Sequence, residues 1–181
     1  MENEMALNMG DRAPDFTLLN VDGNLISLND LGDAKAIGVV FNCNHCPYAL
    51  AWEDRLIQIQ KDYAEKAVRL VLINANDALT HPADSFDAMQ RQALAKGYPF
   101  PYLHDESQET ARAYGGERTP HVFLFDQERR LVYRGAVDDS YDDPKAVKDA
   151  YLRDAIDATL AGETPSVSET PAVGCTIKWK R

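Results

Sequence analysis

The chain has 181 residues, 45% of them hydrophobic, which fits one globular domain with a substantial core. Its formal net charge of −10 disfavours nucleic acid and anionic membrane surfaces as partners. No apolar run reaches the roughly 18 residues of a membrane-spanning helix, and Met1–Glu4 lacks the basic and apolar regions of a signal peptide, so we expect a cytoplasmic protein.

After an N-terminal β-hairpin, apolar runs and amphipathic periods alternate in the manner of strands and helices. The predicted strands are 16–19, 25–28, 36–41, 68–73, 102–103, 122–125 and 131–134. The predicted helices are 46–64, 84–96, 107–114 and a last one that Pro144 opens. This order predicts a single α/β domain with a mixed sheet, comprising a body of about 10–162 and an extended tail of 163–181.

Two of the three cysteines, Cys43 and Cys46, follow the apolar run 36–41 with Cys-x-x-Cys spacing. If a strand feeds a helix here, Cys43 lies at the helix N-terminus and Cys46 one turn inside the helix. The unpaired backbone N–H groups at a helix start favour the thiolate, which is the species that attacks disulfides. An odd cysteine count argues against a structural disulfide framework, so the pair is interpreted as a redox dithiol.

Four pieces of the sequence together carry a resemblance to a known family. They are residues 10–16, the strand with Cys43 and Cys46, Thr119–Pro120 before a strand, and the closing hairpin at 131–135. Over about residues 10–160 the chain resembles the thioredoxin superfamily, and within it the redoxin (AhpC/TSA) branch, which holds thiol–disulfide oxidoreductases of the TlpA and ResA kind. The resemblance implies a thioredoxin-like three-layer sandwich. It also implies that Cys43 attacks, that Cys46 resolves, and that a cis Pro120 faces the dithiol.

The sequence also departs from the patterns of this superfamily. Asn44 and His45 stand where thioredoxins have Gly-Pro, and Ile37 stands where they bury an acidic residue. The peroxiredoxin pattern has Thr or Ser three places before the cysteine, whereas Val40 holds that place before Cys43. Despite this mismatch, a peroxiredoxin-like antioxidant that reduces peroxide is the first rival function.

His45 and Pro47, the neighbours of Cys46, are assigned to tune the thiols. A protonated His45 near a sulfur favours the thiolate, which predicts a lowered Cys43 pKa and a couple more oxidising than thioredoxin. Histidines beside the cysteines could also bind copper or zinc, as in the Sco-type chaperones built on this fold. Of the other three histidines, His121 is the one whose position after Pro120 brings it towards the dithiol. We expect no metal, and metal binding is the second rival.

Cys175 lies in the tail, where Cys175, Ile177 and Trp179 alternate with polar residues and so face one way from an extended segment. The favoured interpretation is a tail that packs on the body with a buried free thiol. The alternative is a third redox thiol that the tail brings to the site.

The sequence thus predicts a thiol–disulfide oxidoreductase in which Cys43 attacks a substrate disulfide and Cys46 releases the reduced product. Thr119 and Pro120 are assigned to the substrate-facing side, where neighbouring backbone groups would pair with an extended substrate. The expected partners are a disulfide-bearing protein or small molecule and an unidentified thiol reductant. No organic cofactor is implied.

Overall fold

The computed structural model describes residues 7–181, so Met1–Glu4, on which the expected location depends, lies outside the described residues. The strands are β1 (Thr17–Asn20), β2 (Leu25–Ser27), β3 (Ala36–Phe41), β4 (Val68–Asn74), β5 (Tyr102–His104), β6 (Arg118–Thr119), β7 (His121–Phe125), β8 (Leu131–Gly135) and β9 (Cys175–Thr176). The α-helices are α1 (Pro47–Tyr63), α2 (Phe86–Lys96), α3 (Glu109–Tyr114) and α4 (Tyr151–Leu160).

One seven-stranded sheet runs in the order β2-β1-β5-β4-β3-β7-β8. Strands β3, β4 and β5 are parallel, whereas the N-terminal hairpin β1–β2 and the hairpin β7–β8 pair antiparallel with their neighbours. The predicted α/β fold with a mixed sheet is confirmed. The sheet places the carboxyl end of β3 between β4 and β7, and this end carries the cysteine loop.

Helices cover both faces of the sheet. Strand β3 is buried along its whole length, because alternate side chains serve two separate cores. On one face Val40 packs in the core that also holds Trp52 of α1, together with residues of α2 and α4. On the other face Phe41 contacts Tyr114 of α3, with ring centroids 5.8 Å apart. These layers confirm the predicted three-layer sandwich.

The last helix begins later than predicted, at Tyr151 instead of Pro144. Pro144 opens a single 3-10 turn, after which Val147 has an extended backbone with ψ of 122°. The Asp139 carboxylate accepts a hydrogen bond from the Lys148 N–H at 3.0 Å, which satisfies this backbone donor outside any helix. Val147 and Tyr151 have helical spacing in the sequence, but the hydrogen bond between Lys148 and Asp139 holds this segment outside the helix.

The tail is extended, as predicted, and packs along the body. Gly135 permits its close approach, because a Cβ there would lie 2.1 Å from Thr170 Oγ1 and the glycine has φ of +142°. Further along, β9 pairs with β6, and Ile177 is buried in the core beside α3. Among residues 7–181, no helix is long and apolar enough to cross a membrane.

Candidate active site

The two cysteines of the dithiol both precede helix α1. Cys46 is the N-cap residue and Pro47 the first helical residue, so the prediction that Cys46 lies one turn inside the helix is wrong. Proline favours the first helical position because its fixed φ suits the helix and its missing N–H would have no partner there. The sulfur nearest the helix N-terminus is consequently that of Cys46. Cys43 retains 3% of its surface and Cys46 none.

Thr119 contacts both sulfurs of the dithiol. Its Oγ1 lies 3.3 Å from Cys43 Sγ, and its carbonyl oxygen accepts a hydrogen bond from Cys46 Sγ at 3.3 Å. The Thr119–Pro120 peptide bond is cis, as predicted. Two elements far apart in sequence, the loop after β3 and the segment before β7, therefore meet at the dithiol.

The backbone edge beside Pro120 is occupied by the chain's own tail. In the β6–β9 pair, Thr119 lies opposite Cys175, and the Arg118 guanidinium donates to the Gly174 carbonyl oxygen at 2.9 Å. The expectation that these backbone groups are free to pair with a substrate strand is therefore wrong for this conformation. Cys175 is half-buried and packs against Cys43 and Cys46, so the structure brings all three cysteines together as free thiols.

Asp84 is a buried carboxylate in the site that sequence reasoning missed. Its oxygens accept hydrogen bonds from the Asn44 N–H at 2.7 Å, Asn74 Nδ2 at 3.1 Å and Asn76 Nδ2 at 3.0 Å. His45 Nδ1 lies 2.5 Å from the carboxylate, which is fully buried. Three amide donors and a histidine make burial of this charge tolerable.

The sequence predicted a helix from Asp84 to Lys96, with Asp84 or Ser85 as its N-cap. The structure gives that cap to Ser85, whose Oγ accepts from the Ala88 N–H at 3.1 Å, and leaves Asp84 in the 3-10 turn before it. The helix accordingly begins two residues later than predicted, at Phe86. A signal did exist in the sequence, since a polar Asn-x-Asn pair at Asn74 and Asn76 ends a buried strand and needs a partner.

Cys43, His45 and Asp84 form a group that could hold a metal ion. One ligand atom from each lies within 4.8 Å of the others. Both Asp84 oxygens, however, already accept amide hydrogen bonds from the loops around them. A metal ligated by Asp84 would compete with those bonds, so the donor set fits a buried polar network better than a metal centre.

The other histidines differ from expectation. His121 Nδ1 accepts from the Glu117 N–H at 3.2 Å, its ring packs on Phe123, and it is not part of the group of Cys43, His45 and Asp84. Burial lowers the pKa of His121 to about 4, so this side chain is neutral near pH 7. His81 instead lies near the dithiol loop, stacked on His45 with ring centroids 5.6 Å apart.

Comparison with known proteins identifies the family of this chain. The family model described as Redoxin matches residues 8–151. The chain belongs to the Redoxin family. The redoxin is 26% identical over 131 residues to the thiol-disulfide oxidoreductase ResA of Bacillus thuringiensis (strain Al Hakam), covering 70% of this chain and 68% of ResA.

Two solved structures are similar to this redoxin over most of its length. An uncharacterized conserved protein from Geobacillus kaustophilus superposes with a TM-score of 0.91 at 42% identity, covering 96% of this chain and 93% of that one. A protein from Chlorobium tepidum, provisionally designated thiol:disulfide interchange protein DsbE, superposes with a TM-score of 0.67 at 25% identity, covering 86% and 99%. The chain is a thioredoxin-like oxidoreductase of the redoxin branch.

The two thiols of the dithiol have pKa values that shift in opposite directions. The hydrogen bond between them raises the pKa of Cys43 and lowers the pKa of Cys46. Burial and the charge of Asp84 raise the pKa of Cys43 further. The expectation that the surroundings lower the pKa of Cys43 is therefore wrong. Cys175 and the backbone of Ala49 and Cys175 also lower the pKa of Cys46, so Cys46 loses its proton more readily than Cys43.

Replacing Asp84 with asparagine is expected to shift the reactivity of Cys43 to lower pH. The carboxylate charge disfavours a Cys43 thiolate, and an amide of the same shape removes that charge while keeping an acceptor for the Asn44 N–H. A shift of one pKa unit corresponds to about 1.4 kcal/mol. The measurement is the rate of iodoacetamide alkylation of Cys43 against pH, located by peptide mass spectrometry.

The matched control for Asp84→Asn is Asp87→Asn, which removes an exposed carboxylate three residues later on α2. The Asp87→Asn profile is expected to overlay the wild-type one. An unshifted Asp84→Asn profile would show that the charge of Asp84 does not reach Cys43.

Proposed function

We propose that this redoxin exchanges a dithiol and a disulfide at Cys43–Cys46 with disulfide-bearing proteins or small molecules. The observation that carries the proposal is that both sulfurs contact one residue, Thr119, which precedes a cis proline. The similarity to ResA supports the same class of reaction.

In the proposed reaction Cys43 attacks first, because it is the sulfur of the pair that retains exposed surface. Its sulfur bonds to one substrate sulfur while the substrate S–S bond breaks, and the electron pair leaves with the second substrate sulfur. The dithiol enters this step with one proton, which ends on the leaving sulfur, so Cys46 is left as a thiolate. The product is a mixed disulfide between Cys43 and the substrate.

Cys46 then resolves the mixed disulfide. Its thiolate attacks Cys43 Sγ, the Cys43–Cys46 bond forms, and the remaining substrate sulfur leaves as a thiolate that takes up a proton. Cys43 has no S–H to donate at this stage, and the surroundings that still lower the pKa of Cys46 are Cys175 and the Ala49 backbone. A thiol or dithiol reductant restores the reduced enzyme, and the cytoplasm is the compartment that we propose for this cycle.

Cys46→Ser is expected to trap the mixed disulfide. Serine cannot displace the substrate from Cys43, so reduced Cys46→Ser incubated with insulin should accumulate a covalent adduct on Cys43. Non-reducing gel electrophoresis and mass spectrometry measure it, and dithiothreitol should release it. The wild-type chain, treated identically, is expected to yield reduced insulin and little adduct.

The rival functions give different results in the same preparations. A peroxide reductase would consume hydrogen peroxide with a thiol reductant faster than it reduces insulin. A metal chaperone would retain copper or zinc through gel filtration in the wild type and lose it in Asp84→Asn. Either result without a Cys46→Ser adduct would contradict the proposed exchange.

A further inference from the structure

We propose that Cys175 is a third redox thiol of this centre, which exchanges with the Cys46 side of the Cys43–Cys46 disulfide. The inference deepens the proposed function and rests on it. Strand β9 places Cys175 opposite Thr119, the residue whose carbonyl oxygen accepts from Cys46 Sγ. The side chains of Cys175 and Cys46 pack together with Cys43 and Ala49.

The tail holds this thiol in place through contacts on both sides of it. Before Cys175, the Gly174 carbonyl oxygen accepts from the Arg118 guanidinium at 2.9 Å. After it, the Ile177 N–H donates to the Glu117 carbonyl oxygen at 3.0 Å. The neighbouring Ile177 side chain is buried with 3% of its surface exposed. A thiol that merely filled space would not need backbone pairing that aligns it with one particular sulfur.

The proposed step moves the disulfide within the chain without an external oxidant. The Cys175 thiolate attacks Cys46 Sγ of the Cys43–Cys46 disulfide, a Cys46–Cys175 bond forms, and the Cys43–Cys46 bond breaks. The electron pair leaves with Cys43, which becomes a thiolate and takes up a proton. One thiol and one disulfide exist before and after the step, and Cys43 is free to react again.

The charges around Cys175 make the step responsive to the oxidation state of the site. In the reduced site, burial raises the pKa of Cys175, and so do the hydrogen bond to Cys46 and its negative charge. Once Cys46 is in a disulfide, its sulfur carries no charge, so the last two contributions are lost. Lys178 and Arg118 continue to favour the Cys175 thiolate. Cys175 therefore gains nucleophilic character when a disulfide is present to attack.

The oxidised product would offer its disulfide to the reductant at a more accessible place. Cys46 has no exposed surface, whereas Cys175 is half-buried at the edge of the tail. A thiol reductant can then attack Cys175 Sγ and release Cys46 as a thiolate, with a mixed disulfide between reductant and Cys175 as the intermediate. A second thiol of the reductant displaces Cys175 and completes the reduction.

Each single Cys→Ser variant of the full chain leaves one pair of cysteines, and the disulfides that these pairs form test the proposal. Cys43→Ser keeps Cys46 and Cys175, and Cys46→Ser keeps Cys43 and Cys175. Both are equilibrated with a buffer of reduced and oxidised glutathione, quenched with iodoacetamide, and mapped by peptide mass spectrometry. We expect a Cys46–Cys175 disulfide in Cys43→Ser at a fraction at least about tenfold above that of Cys43–Cys175 in Cys46→Ser, because adjacent thiols have a high effective concentration.

In the oxidised wild-type chain, the alkylated cysteine reports the position of the disulfide. Label on Cys175 marks Cys43–Cys46, and label on Cys43 marks Cys46–Cys175. Both are expected, and Thr176→Ala, which shortens an exposed β9 side chain, is expected to give the same ratio as the wild type. Label on Cys175 alone, with no Cys46–Cys175 disulfide in natively folded Cys43→Ser, would overturn the proposal and leave a packed free thiol.

Failure of this inference differs from failure of the proposed function. Cys175→Ser retains Cys43 and Cys46, so its reduction of insulin disulfides in a single turnover tests the two-cysteine exchange separately. Single-turnover reduction without any Cys46–Cys175 disulfide in the other variants rejects the third thiol and keeps the function. The reverse pattern, a Cys46–Cys175 disulfide without reduction by Cys175→Ser, rejects the function as proposed.

Discussion

Cys43→Ser is expected to abolish the reduction of protein disulfides, with the rate falling by about a thousandfold or more, as when other enzymes lose their nucleophile. A serine hydroxyl does not exchange with a disulfide under conditions where a thiolate does. Cys46 cannot replace Cys43, because it has no exposed surface and lies beneath the tail residue Cys175. The measurement is insulin reduction with dithiothreitol, compared with the wild type at equal concentration.

The comparison with Cys46→Ser separates the roles of the two sulfurs. Both variants change one buried sulfur to oxygen, so their urea unfolding midpoints serve as the control for folding. Cys43→Ser should form no covalent adduct with insulin, whereas Cys46→Ser should accumulate one. If Cys43→Ser formed the adduct and Cys46→Ser did not, the attacking sulfur would be Cys46 and the assignment from exposure would be wrong.

The sequence predicted those features whose cause lies within a few residues. The apolar run 36–41 predicted a strand, and β3 has these bounds and is buried along its whole length. The predicted end of the second helix at residue 96 is that of α2, because Gly97 adopts the left-handed conformation there with φ of +60°. The thioredoxin-like fold and the cis bond at Pro120 could be predicted because separate pieces of the chain together resemble one family.

The features that sequence reasoning missed depend on contacts between distant residues. Asp84 receives the Asn44 N–H from 40 positions away, and nothing in its local pattern distinguishes it from an ordinary helix-capping residue. Its charge adds to the hydrogen bond with Cys46 and to burial, which together raise the pKa of Cys43 where the sequence predicted a lowered one. Similarly, the alternation after Gly174 predicted that the tail packs on the body, but it could not identify the partner strand, in which Arg118 lies 56 positions away.

The position of Cys175 depends on a close backbone approach that only a residue without a Cβ allows. A Cβ at Gly174 would lie 2.1 Å from the Thr119 carbonyl oxygen and 2.7 Å from its carbonyl carbon. Both are backbone atoms beside Pro120 and cannot rotate away, so the tail itself has to move. Movement of Gly174 would break the contact of its carbonyl oxygen with Arg118 and the pairing of Cys175 with Thr119.

Gly174→Ala is therefore expected to lift β9 from β6 and to expose Cys46. A loss of one to two kcal/mol from the docking of the tail would raise the iodoacetamide alkylation rate of Cys46 by about 5- to 30-fold, because a protected sulfur reacts through its open state. The rate is measured at Cys46 by peptide mass spectrometry in the reduced chain. Thr176→Ala, the control on the same strand, should react like the wild type. An unchanged Cys46 rate in folded Gly174→Ala would mean that the tail does not shield this sulfur, and with it the reason for placing Cys175 at the site would be lost.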